Sequence, residues 1–227
     1  MIDSIPVETK MKKAAFELIL KRPFFATLYM NLQVEESTND GVDTMATDSV
    51  KLYYNADYVK SLPLRQLIGV IAHEVMHVAL GHCFRRKSRD PDLWNIAADH
   101  ATNLLLAGEE VPVRSRFSLP PDIYKSEEYR NMEVEAIYAI LEKKRRNDKK
   151  KDGKGQKKGG SGSGGDYGGK QVIGKVIDYS PDPNDPKNNP GVAEQTTKWK
   201  RALSRAAEVS RMQGVMPGWL ERHIQVY

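Results

Sequence analysis

The sequence predicts an α+β fold, a small sheet packed with several helices, two of which carry polar residues through the core. Three observations lead there. The apolar run Leu67–Gly81 (LIGVIAHEVMHVALG) has no glycine or proline between Val70 and Leu80 and reads as a core helix. A second apolar run, Leu93–Ala107 (LWNIAADHATNLLLA), follows a strong helix start. Two segments rich in aromatic and branched residues, Phe24–Glu35 and Ser49–Tyr54, read as strands.

In chain order, Thr9–Lys21 has amphipathic spacing and ends at Arg22-Pro23. The two strands are expected to pair as a hairpin over the first core helix, joined by the acidic stretch 36–48. Asn55–Ser61 reads as a turn or short helix, and Pro63 opens the first core helix. At Asp90-Pro91-Asp92 a capping carboxylate, a proline at the first helical position and a first-turn acid start the second. Asn131–Arg146 is a further helix, with Asn131 as cap and Val134, Ile137, Tyr138 and Leu141 on its apolar side. Val172–Tyr179 reads as a short strand, and Pro181, Pro183, Pro186 and Pro190 hold the chain extended after it. A final helix, Val192–Gln213, repeats Trp199, Leu203, Ala206, Val209 and Met212 as a core stripe.

The chemistry is concentrated in His73-Glu74-Val75-Met76-His77. Residues four apart on a helix lie one above the other, so both imidazoles can reach one metal ion. Glu74, beside them, can take a proton from a water on that ion. Zinc suits such nitrogens, and a catalytic zinc site combines three protein ligands with a water. Two histidines leave the third ligand to be found. His82 lies about 140° round a continued helix from His77, although Gly81 can end the helix and swing it back. Asn95, Asp99 and Asn103 form a polar stripe at spacing four on the second core helix, and Asp99 at its centre is the preferred ligand. Alternatively, Asp99 orients a ligand histidine by accepting its free ring N–H. His100 lies about 100° from Asp99 and reads as a polar residue at the core edge.

HEVMHVALGH followed by RDPDLWNIAADHATN resembles the HExxH metallopeptidase domain found N-terminal to von Willebrand factor A-like domains in bacterial and phage proteins. RPFFATLYMNLQ, ATDSVKLYYNADYV and GWLERHI extend the likeness over nearly all of the chain outside a glycine-rich stretch. The resemblance implies a zincin-like fold in which His73, His77 and Asp99 hold Zn2+ and Glu74 is the general base. It implies a peptide or protein substrate, and a von Willebrand factor A-like partner domain that would begin where the chain stops, at Tyr227. His100 departs from the aromatic residue expected at its position. A hydrolase of this kind needs a donor for the oxyanion, and His100, Tyr53, Tyr54 and Tyr167 are the candidates. A second reading is a zinc-containing interaction module, its metal closed by His82 or Cys83.

Charge supports a third reading, nucleic-acid binding through a basic arm. Lys143–Lys158 holds ten basic and two acidic residues, so this stretch carries +8 of a net +5 and leaves the remainder at −3. No aromatic residue is interleaved there, which disfavours base stacking. Residues 153–169 contain nine glycines, a composition that buries too little to order itself. The expected organisation is a core at 1–142, a basic, glycine-rich flexible insert at 143–170, and a C-terminal segment and helix at 171–227 packed on the core. One cysteine, Cys83, excludes an internal disulfide and fits a reducing compartment. With no signal-peptide pattern and no run long enough to span a bilayer, a cytoplasmic protein without membrane contact is expected.

Overall fold

Helical periodicity dominates the chain, and the described residues form eight α-helices around a four-stranded mixed sheet, an α+β architecture. A computed structural model describes residues 5–38, 41–108, 111–112, 115–152, 172–216, 218 and 220–221. The helices are α1 (Val7–Lys21), α2 (Pro23–Tyr29), α3 (Ala56–Ser61), α4 (Leu64–Ala79), α5 (His82–Arg85), α6 (Pro91–Ala107), α7 (Val134–Asp152) and α8 (Val192–Met212). The strands are β1 (Gln33–Glu36), β2 (Met45–Thr47), β3 (Lys51–Tyr54) and β4 (Lys175–Val176). None of the described helices is long and apolar enough to cross a membrane.

The sheet corrects the expected hairpin. Its order is β1-β3-β2-β4. The antiparallel pair is β2 with β3, both inside or just after the acidic stretch, whereas β1 runs parallel to β3. Asp48 makes the tight turn by accepting from the amides of Val50 and Lys51 at 2.8 and 2.7 Å. Phe24–Tyr29, expected as strand, is helix α2: Pro23 presets its first turn, and Phe24, Phe25, Ala26 and Leu28 are all buried. Consecutive residues buried together leave no solvent face for a one-sided strand. Packing among helices overrides the aromatic strand preference here.

Two hydrophobic clusters make the core. One joins α1, α2, the sheet, α4 and α8; the other packs α6 and α7 around Trp94, Tyr124 and Tyr129. Helix α8 is docked by Gln195 and Trp199, whose side chains donate to the Ser49 carbonyl at 2.8 and 2.9 Å. Met212 ends that stripe in solvent, 81% exposed, so the core face closes a turn earlier than its spacing predicts.

Helix α7 also departs from expectation. It begins at Val134 rather than at Asn131, which adopts a left-handed φ of 59°, and it continues through the basic block to Asp152. Within that block Lys144 pairs with Glu128 at 3.0 Å and Arg145 with Asp90 at 2.9 Å, so those two cations are engaged within the molecule. The remainder of the expected insert, 153–170, lies outside the described residues.

Candidate metal centre

Helix α4 is apolar enough to be buried on every side from Gly69 to Val78, and this carries His73, Glu74 and His77 into the seam between the two clusters. Helix α6 faces it and brings Asp99 to the same point. All four side chains are 0% exposed. The Nε2 atoms of His73 and His77 are 2.7 Å apart, and Asp99 Oδ1 lies 3.4 Å from each. Donors bound to one tetrahedral zinc at about 2.0–2.1 Å are separated by about 3.3 Å, which the aspartate distances match; the two nitrogens stand closer. His73, His77 and Asp99 thus form a group that could hold a metal ion.

The polar groups around this point support the same conclusion. Neither oxygen of Glu74 nor of Asp99 has a hydrogen-bond partner among the described residues. A buried carboxylate without a partner, as at Glu74, is destabilising unless a cation joins it, and Asp99 has only the two imidazoles, 3.4 Å from its Oδ1. Burial, and then the nearby Asp99 charge, push the Glu74 carboxyl well above the usual range. Burial acts on Asp99 in the same direction, but the two imidazoles outweigh it and hold that carboxyl below its ordinary value. Burial, reinforced by His73, lowers His77 to about 4, so it is neutral and able to ligate near pH 7.

Both imidazoles are oriented from behind. Asn103 donates to the carbonyl of Tyr124 at 3.0 Å, which fixes its amide nitrogen on that side and turns Oδ1 towards His73 Nδ1 at 2.8 Å. An amide oxygen only accepts, so the His73 proton resides on Nδ1 and the lone pair of Nε2 faces the centre. His77 Nδ1 lies 2.8 Å from Nδ1 of His82. Gly81, at φ 69°, ends α4 and folds His82 back against His77, as the glycine allows. His82 is buried, and burial keeps it neutral by lowering its pKa well below the ordinary value. It therefore supports His77 from the far side of the ring rather than joining the ligand group.

The stripe on α6 divides into three tasks. Asp99 joins the metal group, Asn103 orients His73, and Asn95 binds the backbone of the segment around β4: it donates to the Gly174 carbonyl at 3.0 Å and accepts from the Val176 amide at 2.8 Å. His100 accepts from the Ser126 amide at 3.1 Å and packs edge-on to Tyr129, a core-edge role as its position predicts. Cys83 is a buried free thiol directed at the Thr47 carbonyl, 3.7 Å away, and lies outside the metal group.

Among the oxyanion candidates, Tyr53 donates to Asp48 at 3.0 Å, and Tyr167 lies outside the described residues. Sequence reasoning missed Tyr58. Its hydroxyl is buried without a hydrogen-bond partner among the described residues. Burial raises its pKa, and the charges of Glu74 and Asp99 raise it further, so the phenol senses both carboxylates. The only signal in the sequence was a tyrosine on the short helix before Pro63, which periodicity does not distinguish from a packing residue.

A protein of Thermotoga maritima described as "Uncharacterized protein" is 30% identical to this chain over 126 residues. The match covers 53% of this chain and 30% of that relative, so the chain spans well under half of its length. No solved structure matches the chain. A family described as "Putative metallopeptidase domain" matches residues 6–226, almost the whole sequence that builds and encloses the metal group, and the chain belongs to that family.

Proposed function

We propose that this chain is a zinc-dependent peptidase, with His73, His77 and Asp99 as metal ligands and Glu74 as general base. The convergence of the two Nε2 atoms and Asp99 Oδ1, with two unpartnered Glu74 oxygens beside them, carries the reading. A zinc ion held there supplies an acidified water and a polarised scissile carbonyl. Glu74, whose proton affinity is raised by burial, takes the proton as the water oxygen adds to the carbonyl carbon. The same carboxyl returns that proton to the nitrogen as the C–N bond breaks. Tyr58 would donate to the developing oxyanion, a role supported by a buried hydroxyl with no competing partner among the described residues.

One observation favours a second reading, a closed structural metal site: the centre is fully buried. Such a site ordinarily has four protein ligands. His82 turns its Nδ1 to the back of His77, and Cys83 points at Thr47, so neither completes the set.

Elemental analysis and X-ray absorption on the wild type and on Asp99→Ala and Glu74→Gln separate the two. The peptidase reading expects one zinc per chain with nitrogen and oxygen but no sulfur neighbours, weakened binding in Asp99→Ala, and full binding in Glu74→Gln. Hydrolysis should fall about 10²–10⁴-fold in Glu74→Gln. A sulfur neighbour, or zinc retained with undiminished hydrolysis in that variant, would overturn it.

A further inference from the structure

A peptidase centre at 0% exposure admits no peptide, so whatever covers it has to move. Among the described residues, the chain around β4 lies over Glu74. On one side this segment pairs in parallel with β2, Ala46 opposite Lys175 and Thr47 opposite Val176, and the Ile177 amide donates to the Thr47 carbonyl at 2.9 Å. On its other side, the carbonyl of Gly174 and the amide of Val176, the groups a further strand would pair with, are both taken by the side chain of Asn95. Between these two edges the backbone lies directly on the catalytic base. A Cβ added to Gly174 would stand 1.6 Å from Glu74 Oε1 and 3.0 Å from His73 Cδ2, so any side chain there would have to displace the Glu74 carboxyl.

Most of what holds this segment is main chain. Lys175 is exposed and Val176 only partly buried; beyond them, Asp178 pairs with Arg86 Nε at 2.9 and 2.8 Å on the surface, and the Tyr179 amide donates to the Cys83 carbonyl at 3.0 Å. The segment's apolar anchors are Ile173, 1% exposed, and Val176, which packs against both hydrophobic clusters. Main-chain pairing is indifferent to sequence, so an edge that accepts this segment accepts another extended chain equally well. A buried metal centre under a short, backbone-held strand is the geometry of an occupied peptide groove.

We propose that residues 172–178 form a self-occluding strap, and that the β2 edge together with Asn95 is the binding site for an extended peptide main chain, which displaces the strap to reach Glu74. The inference rests on the peptidase reading for the use of the groove, but not for its existence. Strap and substrate compete for the same backbone partners, so the resting enzyme is closed and activity rises when the strap is loosened.

The test uses the full zinc-loaded chain with two independent variants. Gly174→Ala drives a methyl group into Glu74, and Asp178→Arg breaks the ion pair with Arg86, with Arg86→Asp added to restore it. Hydrogen exchange at the amides of 174–178 is compared with that of α4, alongside hydrolysis of a denatured protein substrate and binding of a synthetic peptide with the sequence of residues 172–178. Expected are exchange in the strap at least about 10-fold faster in both single variants, unchanged protection of α4, binding of the synthetic peptide to the opened groove, and, in Asp178→Arg, which leaves Glu74 untouched, faster hydrolysis that the peptide inhibits. The charge-swapped double variant should return to wild-type behaviour. Strap exchange that rises only together with α4 would overturn the proposal, because β4 would then be a fixed strand of the fold. Local release with peptide rebinding but no hydrolysis in any variant sustains the strap and overturns the peptidase reading instead.

Discussion

Asn103 holds the proton of His73 on Nδ1, and through it the lone pair that faces the metal group. Asn103→Leu keeps the volume but removes that constraint, and should weaken zinc binding about 10–100-fold in a chelator competition, with little change in helix content. Tyr58→Phe tests a different residue by its kinetics. Its hydroxyl is buried without a hydrogen-bond partner among the described residues, so removing it should leave the melting temperature unchanged or slightly higher. The same change should lower kcat about 10²–10³-fold at unaltered zinc content. His77 gives a pH signature in the metal-free chain. Its folded pKa is depressed to about 4, below the unfolded value near 6.5, so the unfolded chain takes up a proton first as pH falls. Its contribution is therefore present above about pH 6.5 and lost between there and about pH 4. Denaturation of wild type and His77→Gln across that range should show their stability difference shrinking as pH falls.

Among the elements, the two core helices were the most legible from sequence, because their signals are local. Asp90 accepts from the Leu93 amide at 3.0 Å as a cap should, and α6 starts at Pro91 as expected. Helix α2 and the sheet were not legible. An aromatic run satisfies either a strand or a helix buried on all sides, and only its neighbours decide. Strand pairing joins residues far apart, such as Thr47 with Val176, and nothing local specifies it. Lys10 is a second long-range feature: its ammonium donates to the carbonyls of Val59 and Lys60 at 2.8 and 3.0 Å, and to that of Leu62, tying α1 to the end of α3. Lys10→Met keeps the aliphatic stem and should destabilise the fold by about 2 kcal/mol, visible as a melting temperature lower by about 4–8 °C.

At the scale of the molecule, the group that could hold a metal lies where two hydrophobic clusters meet, with His73 and His77 from α4 on one side and Asp99 from α6 on the other. An ion there would clamp the clusters together. Zinc at 100 times its Kd should therefore stabilise the chain by about 2.7 kcal/mol, seen in thermal denaturation with and without chelator. The sequence by itself determined the grouping of the candidate residues, because a helix of 3.6 residues per turn brings His73 over His77 and puts Asn95, Asp99 and Asn103 on one stripe whatever surrounds them. It also determined the α+β class, through the periodicity of its runs. Only the tertiary structure decided what each stripe residue touches, that His82 returns to His77, that the Tyr58 hydroxyl is buried without a hydrogen-bond partner among the described residues, and that Gly174 lies on Glu74. Those relations join segments up to 100 residues apart, as with Gly174 and Glu74, and are set by packing between elements, which no local pattern encodes.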